Sequence, residues 1–247
     1  SKQVYSIPLV LMVGWRGSPK IKDEPQHMAK GKITLSLLKL LKIEYCILRS
    51  TKDLIKLSKL LKKSKNNKKI VACLIEKNIL QSKSLKKSIK SNKYSILRKE
   101  FIEEFLHHIP KKSRIISTTG YSSRELMQIR KEKKLYKGKD FYMVGGMGHS
   151  SMVAMGYSIH NKNMVFCLDG DGSALMHLGS LRTIGYNKNK QFKHILFNNN
   201  AHESVGGQST NAEGINFKSL VKSVGYKNYF KISKKIDLKK NIKKFIK

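Results

Sequence analysis

The chain has 247 residues, enough for one large domain or for two domains of about 100 to 150 residues, so its length does not exclude a sizeable core. It carries 51 Lys and Arg against 16 Asp and Glu, a formal net charge of +35. Because the excess is mostly Lys scattered through every segment, it favours a compositional bias on a solvated surface over a nucleic-acid-binding patch. Nucleic acid is therefore not an expected partner.

Cysteine usage and hydropathy bear on the compartment. Cys46, Cys73 and Cys167 lie far apart in apolar stretches and lack the paired spacing of zinc or redox motifs. They are predicted to be small core residues in a reducing compartment. The longest apolar stretch, residues 7–15, is too short to cross a bilayer and has no signal-peptide pattern around it. The sequence therefore predicts a cytoplasmic protein without a membrane partner.

Short apolar runs alternate with amphipathic stretches along the chain. Runs of this length suit strands buried on both faces of a parallel sheet, and the alternation predicts α/β architecture with right-handed crossovers. The predicted strands cover residues 7–13, 45–48, 70–75, 115–118, 164–168, 195–198 and 229–232.

Two amphipathic helices and one linker complete the coarse organisation. The helices are predicted over residues 30–42 and 94–109. Residues 81–93, rich in Lys and Ser, are the predicted linker, so the chain is divided near residue 90. The apolar faces of the helices are predicted to consist of Ile33, Leu37, Leu38 and Leu41 in the first and Leu97, Phe101, Phe105 and Ile109 in the second.

An acidic, glycine-rich turn at residues 169–172 follows the strand at 164–168 and precedes a helical pattern that begins near Ser173. Ligands of open α/β sheets bind at this end of the strands, and a helix start offers N–H groups to an anion. The next strand ends at a run of asparagines that includes Asn199, which would lie beside Asp171 if the strands are neighbours. Carboxylate and amide oxygens suit Mg²⁺, so the pattern predicts a magnesium-diphosphate site.

Four longer motifs accompany this site. They are Gly14-Trp15-Arg16-Gly17 with Asp23-Glu24-Pro25-Gln26-His27, Thr118-Thr119-Gly120 with Ser123-Arg124-Glu125-Leu126, Gly145-Gly146-Met147-Gly148-His149, and NNNAHESVGGQST at residues 198–210. In this order, and over residues 4–232, the chain resembles the phosphonopyruvate decarboxylases. The acidic turn followed by paired asparagines is the signature that this family shares with other thiamine-diphosphate-dependent enzymes.

The resemblance implies a fold and a cofactor site. It implies two flavodoxin-like parallel-sheet domains of the thiamine-diphosphate-binding fold. Residues 1–90 would be the later part of an incomplete pyrimidine-binding domain, and residues 94–247 the pyrophosphate-binding domain. The implied Mg²⁺ ligands are the side chains of Asp171 and Asn199 and the carbonyl of Ala201. The residues implied to bind thiamine diphosphate are Thr119, Gly120, Gly146, Met147, Gly148, His149, Gly170, Gly172 and Ser173.

The activity implied by the resemblance is decarboxylation of a small 2-oxo acid, 3-phosphonopyruvate, to phosphonoacetaldehyde and CO₂ in phosphonate biosynthesis. Arg16, His27 and His202 are the candidate catalytic or substrate-binding residues. Arg16 is equally consistent with an exposed loop residue, and His202 is equally consistent with a histidine that shapes its loop. Arg124 could pair with Glu125 at a helix start instead of touching a ligand. Three alternatives stay open: a sulfopyruvate decarboxylase subunit, an inactive truncated relative, and a basic nucleic-acid-binding protein.

The chain departs from the family pattern in three ways. Asn200 stands where the family has Gly, a tolerable change because Asn adopts positive φ more readily than most residues. Glu203 replaces an Asp and lengthens an acid near the substrate. The family's cofactor-activating glutamate has no counterpart, since Glu24 lies in a different motif. This chain alone is therefore expected to bind part of the cofactor without activating it, and to act as a homo-oligomer or with a complementary pyrimidine-domain chain.

Overall fold

The computed structural model describes residues 6–19, 21–80, 95–135 and 140–247. The chain divides into two compact units, Ser1–Ile89 and Lys90–Lys247. Each unit contains an all-parallel sheet with helical crossovers, so the predicted α/β fold class is confirmed. The predicted linker at residues 81–93 lies outside the described residues. Among the helices that are described, none is long and apolar enough to cross a membrane.

The first unit is built on a three-stranded sheet with strand order β1-β3-β2. Its small core places Trp15 and Leu38 against Ala72 and Leu74 of the central strand. The elements are β1 (Leu9–Gly14), α1 (Pro25–Leu40), β2 (Glu44–Leu48), α2 (Leu54–Asn67) and β3 (Ile70–Ile75).

The packed face of α1 differs from the predicted one. Ile33, Leu37 and Leu41 are 58%, 49% and 52% exposed, and of the four predicted residues only Leu38 is buried. The helix docks instead through Gly31, whose carbonyl accepts a hydrogen bond from Trp15 Nε1 at 2.9 Å. Gly31 and Leu38 are two turns apart on one face. The prediction was wrong because a glycine, invisible to apolar periodicity, sets the contact.

The second unit is built on a four-stranded sheet with strand order β5-β4-β6-β7. Its strands are β4 (Arg114–Ser117), β5 (Phe141–Tyr142), β6 (Val165–Gly170) and β7 (Phe192–Phe197). Its helices are α3 (Arg98–His108), α4 (Tyr121–Glu132), α5 (Ser150–Ile159), α6 (Asp171–Met176), α7 (Gly179–Asn187), α8 (Phe217–Ser223) and α9 (Leu238–Ile246).

The central strand β6 is buried on both faces. Phe166 and Leu168 point into a core formed with α3, α4 and α9. Val165 and Cys167 point the other way, against Ala154 of α5. Because side chains alternate along a strand, a continuous apolar run can fill both cores. This is the pattern from which β6 was predicted.

Two predicted elements are wrong in this unit. Residues 229–232 form no strand: Ile232 packs against the core with α3 and α9, but its segment pairs with no sheet edge. The helix predicted to begin near Ser173 begins at Asp171 and is interrupted at His177, which leaves helical geometry at φ −132° and ψ 55°. The pattern of spaced leucines continues across this break, so periodicity alone could not reveal it.

A pair of phenylalanines tests the position of the core. Phe105 of α3 is fully buried, whereas Phe141 is 53% exposed. Phe105→Ala is expected to lower the free energy of unfolding by about 3 to 5 kcal/mol, because it leaves a cavity between α3 and the sheet. Phe141→Ala should cost much less. Urea unfolding followed by circular dichroism measures both, and equal losses would contradict the placement of the core.

Candidate functional site

Three strand ends meet at the edge of the sheet where the motifs lie. Ser117 of β4 pairs with Leu168 of β6, and Gly170 of β6 pairs with Phe197 of β7. The chain passes from β4 to β5 on one side and then to β6 on the other side of β4. Such a change of direction opens a crevice at the carboxyl ends of the strands, where open α/β sheets bind ligands.

Asp171 follows β6 directly at this edge of the sheet, as the first residue of α6. Its side chain is almost fully buried, and its Oδ2 accepts a hydrogen bond from Thr210 Oγ1 at 2.6 Å. The backbone N–H of Thr210 donates to the carbonyl of Asn200 at 3.3 Å. One threonine therefore joins the acidic turn after β6 to the asparagine loop after β7. The structure brings together the two segments that the metal-site prediction paired.

The asparagine loop, residues 198–210, holds its first residues in a tight conformation. Asn199 Oδ1 accepts a hydrogen bond from the Ala201 N–H at 3.1 Å. Asn200 has a φ of 57°, the left-handed region that glycine adopts most easily and asparagine tolerates. The departure from glycine at this position is thus accommodated by the backbone.

The same loop folds back on itself through an isolated bridge between Ala201 and Ser209. Two hydrogen bonds flank this bridge. The His202 N–H donates to the Gln208 carbonyl, and the Thr210 N–H donates to the Asn200 carbonyl. The bridge therefore does not use the Ala201 carbonyl, the third implied metal ligand. The distance from His202 N to Gln208 O is 2.8 Å.

Ser173 connects the other cofactor motifs. Its Oγ lies 3.0 Å from Thr118 Oγ1 and accepts a hydrogen bond from the Gly148 N–H at 3.1 Å. Ser173 and Thr118 are almost fully buried. The glycine-rich segment before α5, the loop after β4 and the start of α6 thus converge on one hydroxyl. Thr118, the residue before the predicted Thr119, is the threonine that makes this contact.

Two glycines allow the loops to approach one another. A Cβ on Gly172 would lie 2.4 Å from His202 Cε1 and 2.9 Å from Thr210 Cγ2. Gly148, at φ 90°, would place a Cβ 2.4 Å from His177 Cδ2. Side chains at either position would push the loops apart. The predicted residue His202 consequently lies directly against the acidic turn.

The remaining predicted cofactor residues lie in the same region of the unit. A Cβ on Gly120 would lie 2.8 Å from Ser204 Oγ, so Gly120 faces the asparagine loop. The His149 ring lies 4.2 Å from the His177 ring, measured between centroids. Gly146 adopts a φ of 56°, and Met147 is half-buried beside it. The sequence did not single out His177, the residue at which the helix breaks after α6.

A buried acid anchors the end of β6. Asp169 Oδ2 lies 3.2 Å from His194 Nε2, and Asp169 Oδ1 accepts from Ser150 Oγ at 3.2 Å. Burial acts to raise the pKa of Asp169, but the hydrogen bond and charge of His194, together with hydrogen bonds from Ser173 and the Gly170 N–H, outweigh it and lower that pKa. Cys167 lies on the same face, within 4.8 Å of both side chains. This group was not predicted from the sequence, although Cys167 and Asp169 lie two positions apart in β6 and therefore on the same face.

Arg16 and His27 belong to the first unit. Arg16 Nε donates to Asp23 Oδ2 at 2.7 Å, and the Gly17 N–H donates to the same oxygen at 2.8 Å. The Arg16 side chain is 51% exposed. His27 lies in the first turn of α1, and its carbonyl is so close to Gly17 that a Cβ there would lie 2.0 Å away. The structure thus places the backbone of His27 against the loop that carries Arg16, where Arg16 already has an acidic partner.

The expected pair of Arg124 with Glu125 is wrong. Glu125 accepts two hydrogen bonds from Arg98 of α3, at 2.9 and 3.0 Å. The Arg124 guanidinium instead lies over the Tyr121 ring, 5.3 Å from its centroid. Adjacent residues on a helix point in different directions, so a partner on another helix is the better match.

The donor set fits a divalent cation that holds a diphosphate. The Asp171 carboxylate, the Asn199 amide and the Ala201 carbonyl all lie on two adjoining loops and offer hard oxygen atoms. Such oxygens suit Mg²⁺, which keeps further positions for water and phosphate. The glycines at 170 and 172 leave backbone without a Cβ beside these ligands.

Comparison with known proteins identifies the cofactor family of the second unit. Residues 118–247 match the family model described as "Thiamine pyrophosphate enzyme, C-terminal TPP binding domain". Over 237 residues the chain is 31% identical to a phosphonopyruvate decarboxylase of Streptomyces viridochromogenes, covering 90% of this chain and 58% of the relative. A second phosphonopyruvate decarboxylase, from Streptomyces hygroscopicus, is 30% identical with the same coverage.

A shorter match involves a different decarboxylase. Over 129 residues the chain is 33% identical to "Sulfopyruvate decarboxylase subunit beta" of Methanocaldococcus jannaschii, covering 52% of this chain and 66% of the relative. The chain spans 58% of the length of the two Streptomyces relatives.

The Arg16–Asp23 pair yields a pH prediction. The hydrogen bond from Arg16 is the largest influence that lowers the pKa of Asp23 far below its ordinary value. This stabilisation is present above the unfolded-state pKa and is lost as the pH falls through the lower, folded-state pKa. Arg16→Met should therefore raise the pKa of Asp23 and move the loss of stability to higher pH. Carboxyl NMR titration measures the pKa; an unchanged value would contradict the pairing.

Proposed function

Because the chain belongs to the thiamine pyrophosphate enzymes, whose C-terminal TPP-binding domain its residues 118–247 match, we propose that it catalyses a thiamine-diphosphate- and Mg²⁺-dependent decarboxylation. The proposed reaction converts 3-phosphonopyruvate to phosphonoacetaldehyde and CO₂, a step of phosphonate biosynthesis. The similarity to two phosphonopyruvate decarboxylases over 90% of the chain supports this substrate. The cytoplasmic location stays a prediction.

One observation carries the proposal: Thr210 connects the acidic turn to the asparagine loop. Its hydroxyl binds the Asp171 carboxylate and its N–H binds the carbonyl of Asn200. Those contacts hold the Asp171 carboxylate and the Asn199 amide on neighbouring loops, so that one Mg²⁺ could receive both. The same ion would bind the diphosphate of the cofactor and neutralise part of its charge.

The reaction needs an electron acceptor that no amino-acid side chain supplies. Bound thiamine diphosphate provides it by taking the electron pair left when CO₂ departs. The residues of this chain would hold the cofactor and orient the substrate. Ser173, Gly148 and Thr118 hold together the backbone segments that would surround the diphosphate. His202, packed against Gly172, would be the candidate hydrogen-bond donor to the substrate.

The second candidate is a sulfopyruvate decarboxylase subunit. The specific observation in its favour is the 33% identity to a β subunit over 129 residues. A subunit of this kind would act with a complementary pyrimidine-domain chain that supplies the cofactor-activating glutamate. In the phosphonopyruvate proposal, the chain acts as a homo-oligomer or with such a partner.

Calorimetric titration of thiamine diphosphate in the presence of Mg²⁺ tests the cofactor site. Asp171→Ala is expected to weaken binding at least about tenfold, because the ion loses its anionic protein ligand. Asp237→Ala, a carboxylate at the start of α9, is the matched control and should bind as the unmodified chain does. Equal binding by all three proteins, or binding that does not need Mg²⁺, would contradict the proposed site.

A substrate assay separates the candidate activities. Phosphonopyruvate and sulfopyruvate are each supplied with thiamine diphosphate and Mg²⁺, with and without a complementary pyrimidine-domain chain, and the aldehyde product is quantified by NMR. The proposal predicts faster conversion of phosphonopyruvate. Faster conversion of sulfopyruvate would favour the second candidate. Conversion of neither, even with the complementary chain, would identify an inactive relative and contradict both.

A further inference from the structure

The arginine that begins α3 holds two acids from different parts of the second unit. Arg98 Nε and Nη2 donate to the two oxygens of Glu125, at 2.9 and 3.0 Å. Its third nitrogen, Nη1, donates to Glu203 Oε2 at 3.0 Å. The Arg98 side chain is only 15% exposed, whereas that of Glu203 is 52% exposed. Arg98 is therefore a fixed point and Glu203 is the residue that it holds.

Glu203 passes this constraint to Asn199. The oxygen that accepts from Arg98, Oε2, also accepts from Asn199 Nδ2 at 3.3 Å. A carboxylate only accepts hydrogen bonds, so it selects the nitrogen of the amide and repels its oxygen. Asn199 Oδ1 must then face the opposite way, toward the Ala201 N–H at 3.1 Å.

The orientation of this amide matters for a metal site. An asparagine can ligate Mg²⁺ only through its oxygen, and a rotated amide would present two N–H groups to the cation. Rotation about the terminal bond of a free asparagine is easy, since this torsion is broad and roughly two-fold. A contact that distinguishes nitrogen from oxygen therefore prepares the ligand before the metal arrives.

We propose that Arg98 is a positioning residue of the Mg²⁺-diphosphate site, acting through Glu203 to hold the Asn199 amide with its oxygen available to the cation. This inference rests on the proposed function, because it takes Asn199 as a metal ligand. Arg98 itself touches neither metal nor cofactor in this proposal. Glu125 has a separate role: its two hydrogen bonds fix the orientation of the planar guanidinium and so direct Nη1 toward the loop.

The competing explanation is that Arg98 only stabilises the fold. Arg130 is the matched control for it. Arg130 of α4 makes the same kind of two-pronged pair with Asp140, at 2.9 and 3.1 Å. The Arg130 and Asp140 side chains are 9% and 3% exposed. No hydrogen bond of Asp140 among the described residues leads to Asn199. Arg130→Met should therefore lower stability without changing metal affinity.

The test measures Mn²⁺ binding in the presence of thiamine diphosphate by electron paramagnetic resonance, together with thermal unfolding of the metal-free protein. Glu203→Leu is expected to weaken Mn²⁺ binding about tenfold. The unfolding temperature should stay unchanged, because Arg98 still donates its two hydrogen bonds to Glu125. Arg98→Met should weaken binding to a similar extent. In the double variant the two losses should not add, since both changes break one chain of contacts.

The outcomes separate the two proposals. If Asp171→Ala abolishes Mn²⁺ binding while Glu203→Leu and Arg98→Met bind as the unmodified protein does, the positioning role is wrong and the metal site stands. If Arg98→Met fails to fold, Glu203→Leu alone decides, because the residue lies on an exposed part of the loop. If Asp171→Ala binds Mn²⁺ normally, the metal site itself is wrong. Additive losses in the double variant would also overturn the single-chain mechanism.

Discussion

The site depends on the hydrogen bond between the Thr210 hydroxyl and the Asp171 carboxylate. Parallel pairing of β6 with β7 puts Gly170 beside Phe197, which brings the ends of the two strands into reach. Pairing alone does not decide where the loops go afterwards. The 2.6 Å hydrogen bond from the Thr210 hydroxyl to the almost fully buried Asp171 fixes the asparagine loop against the acidic turn. The carboxylate is thereby kept in a crevice and away from open solvent.

Three further groups of contacts surround this hydrogen bond in the second unit. Asp169 and His194 hold the end of β6 from inside the sheet, at 3.2 Å. Ser173 ties the glycine-rich segment before α5 to the loop after β4. On the solvent side, Arg98 reaches the asparagine loop through Glu203. These loops are thus held from three sides, by the buried Asp169, by the Ser173 hydroxyl and by the half-exposed ion pair of Arg98 with Glu203. A metal ligand set needs preorganisation of this kind.

Much of the second unit could be predicted because its signals are local. The apolar runs marked β4, β6 and β7, since a strand buried on both faces needs apolar residues throughout. The acidic turn and the asparagines were predicted to lie together, since the carboxyl ends of neighbouring parallel strands meet, and Thr210 joins them. The side chains of His177 and His202 lie close to the glycines at 148 and 172, which explains why glycine is needed there, and the cofactor-binding role of these glycines stays a prediction.

What escaped prediction depends on contacts between distant residues or on small side chains. The docking of α1 is decided by Gly31, so the apolar face defined by Ile33 and Leu37 was misleading. Arg98 carries no sequence signal that links it to Glu203, because their contact spans 105 positions. Residues 229–232 have the composition of a strand, but composition does not ensure pairing, and this segment pairs with none of the described strands although β7 lies at an edge of the sheet.

Locating the cation would test the proposed metal site most directly. A crystal of the protein grown with Mn²⁺ and thiamine diphosphate would give an anomalous difference peak at the metal. We expect one strong peak coordinated by an oxygen of Asp171, by Asn199 Oδ1 and by the diphosphate. A strong peak elsewhere, with Asp171 still bound only to Thr210 and the asparagine amide facing away, would contradict it.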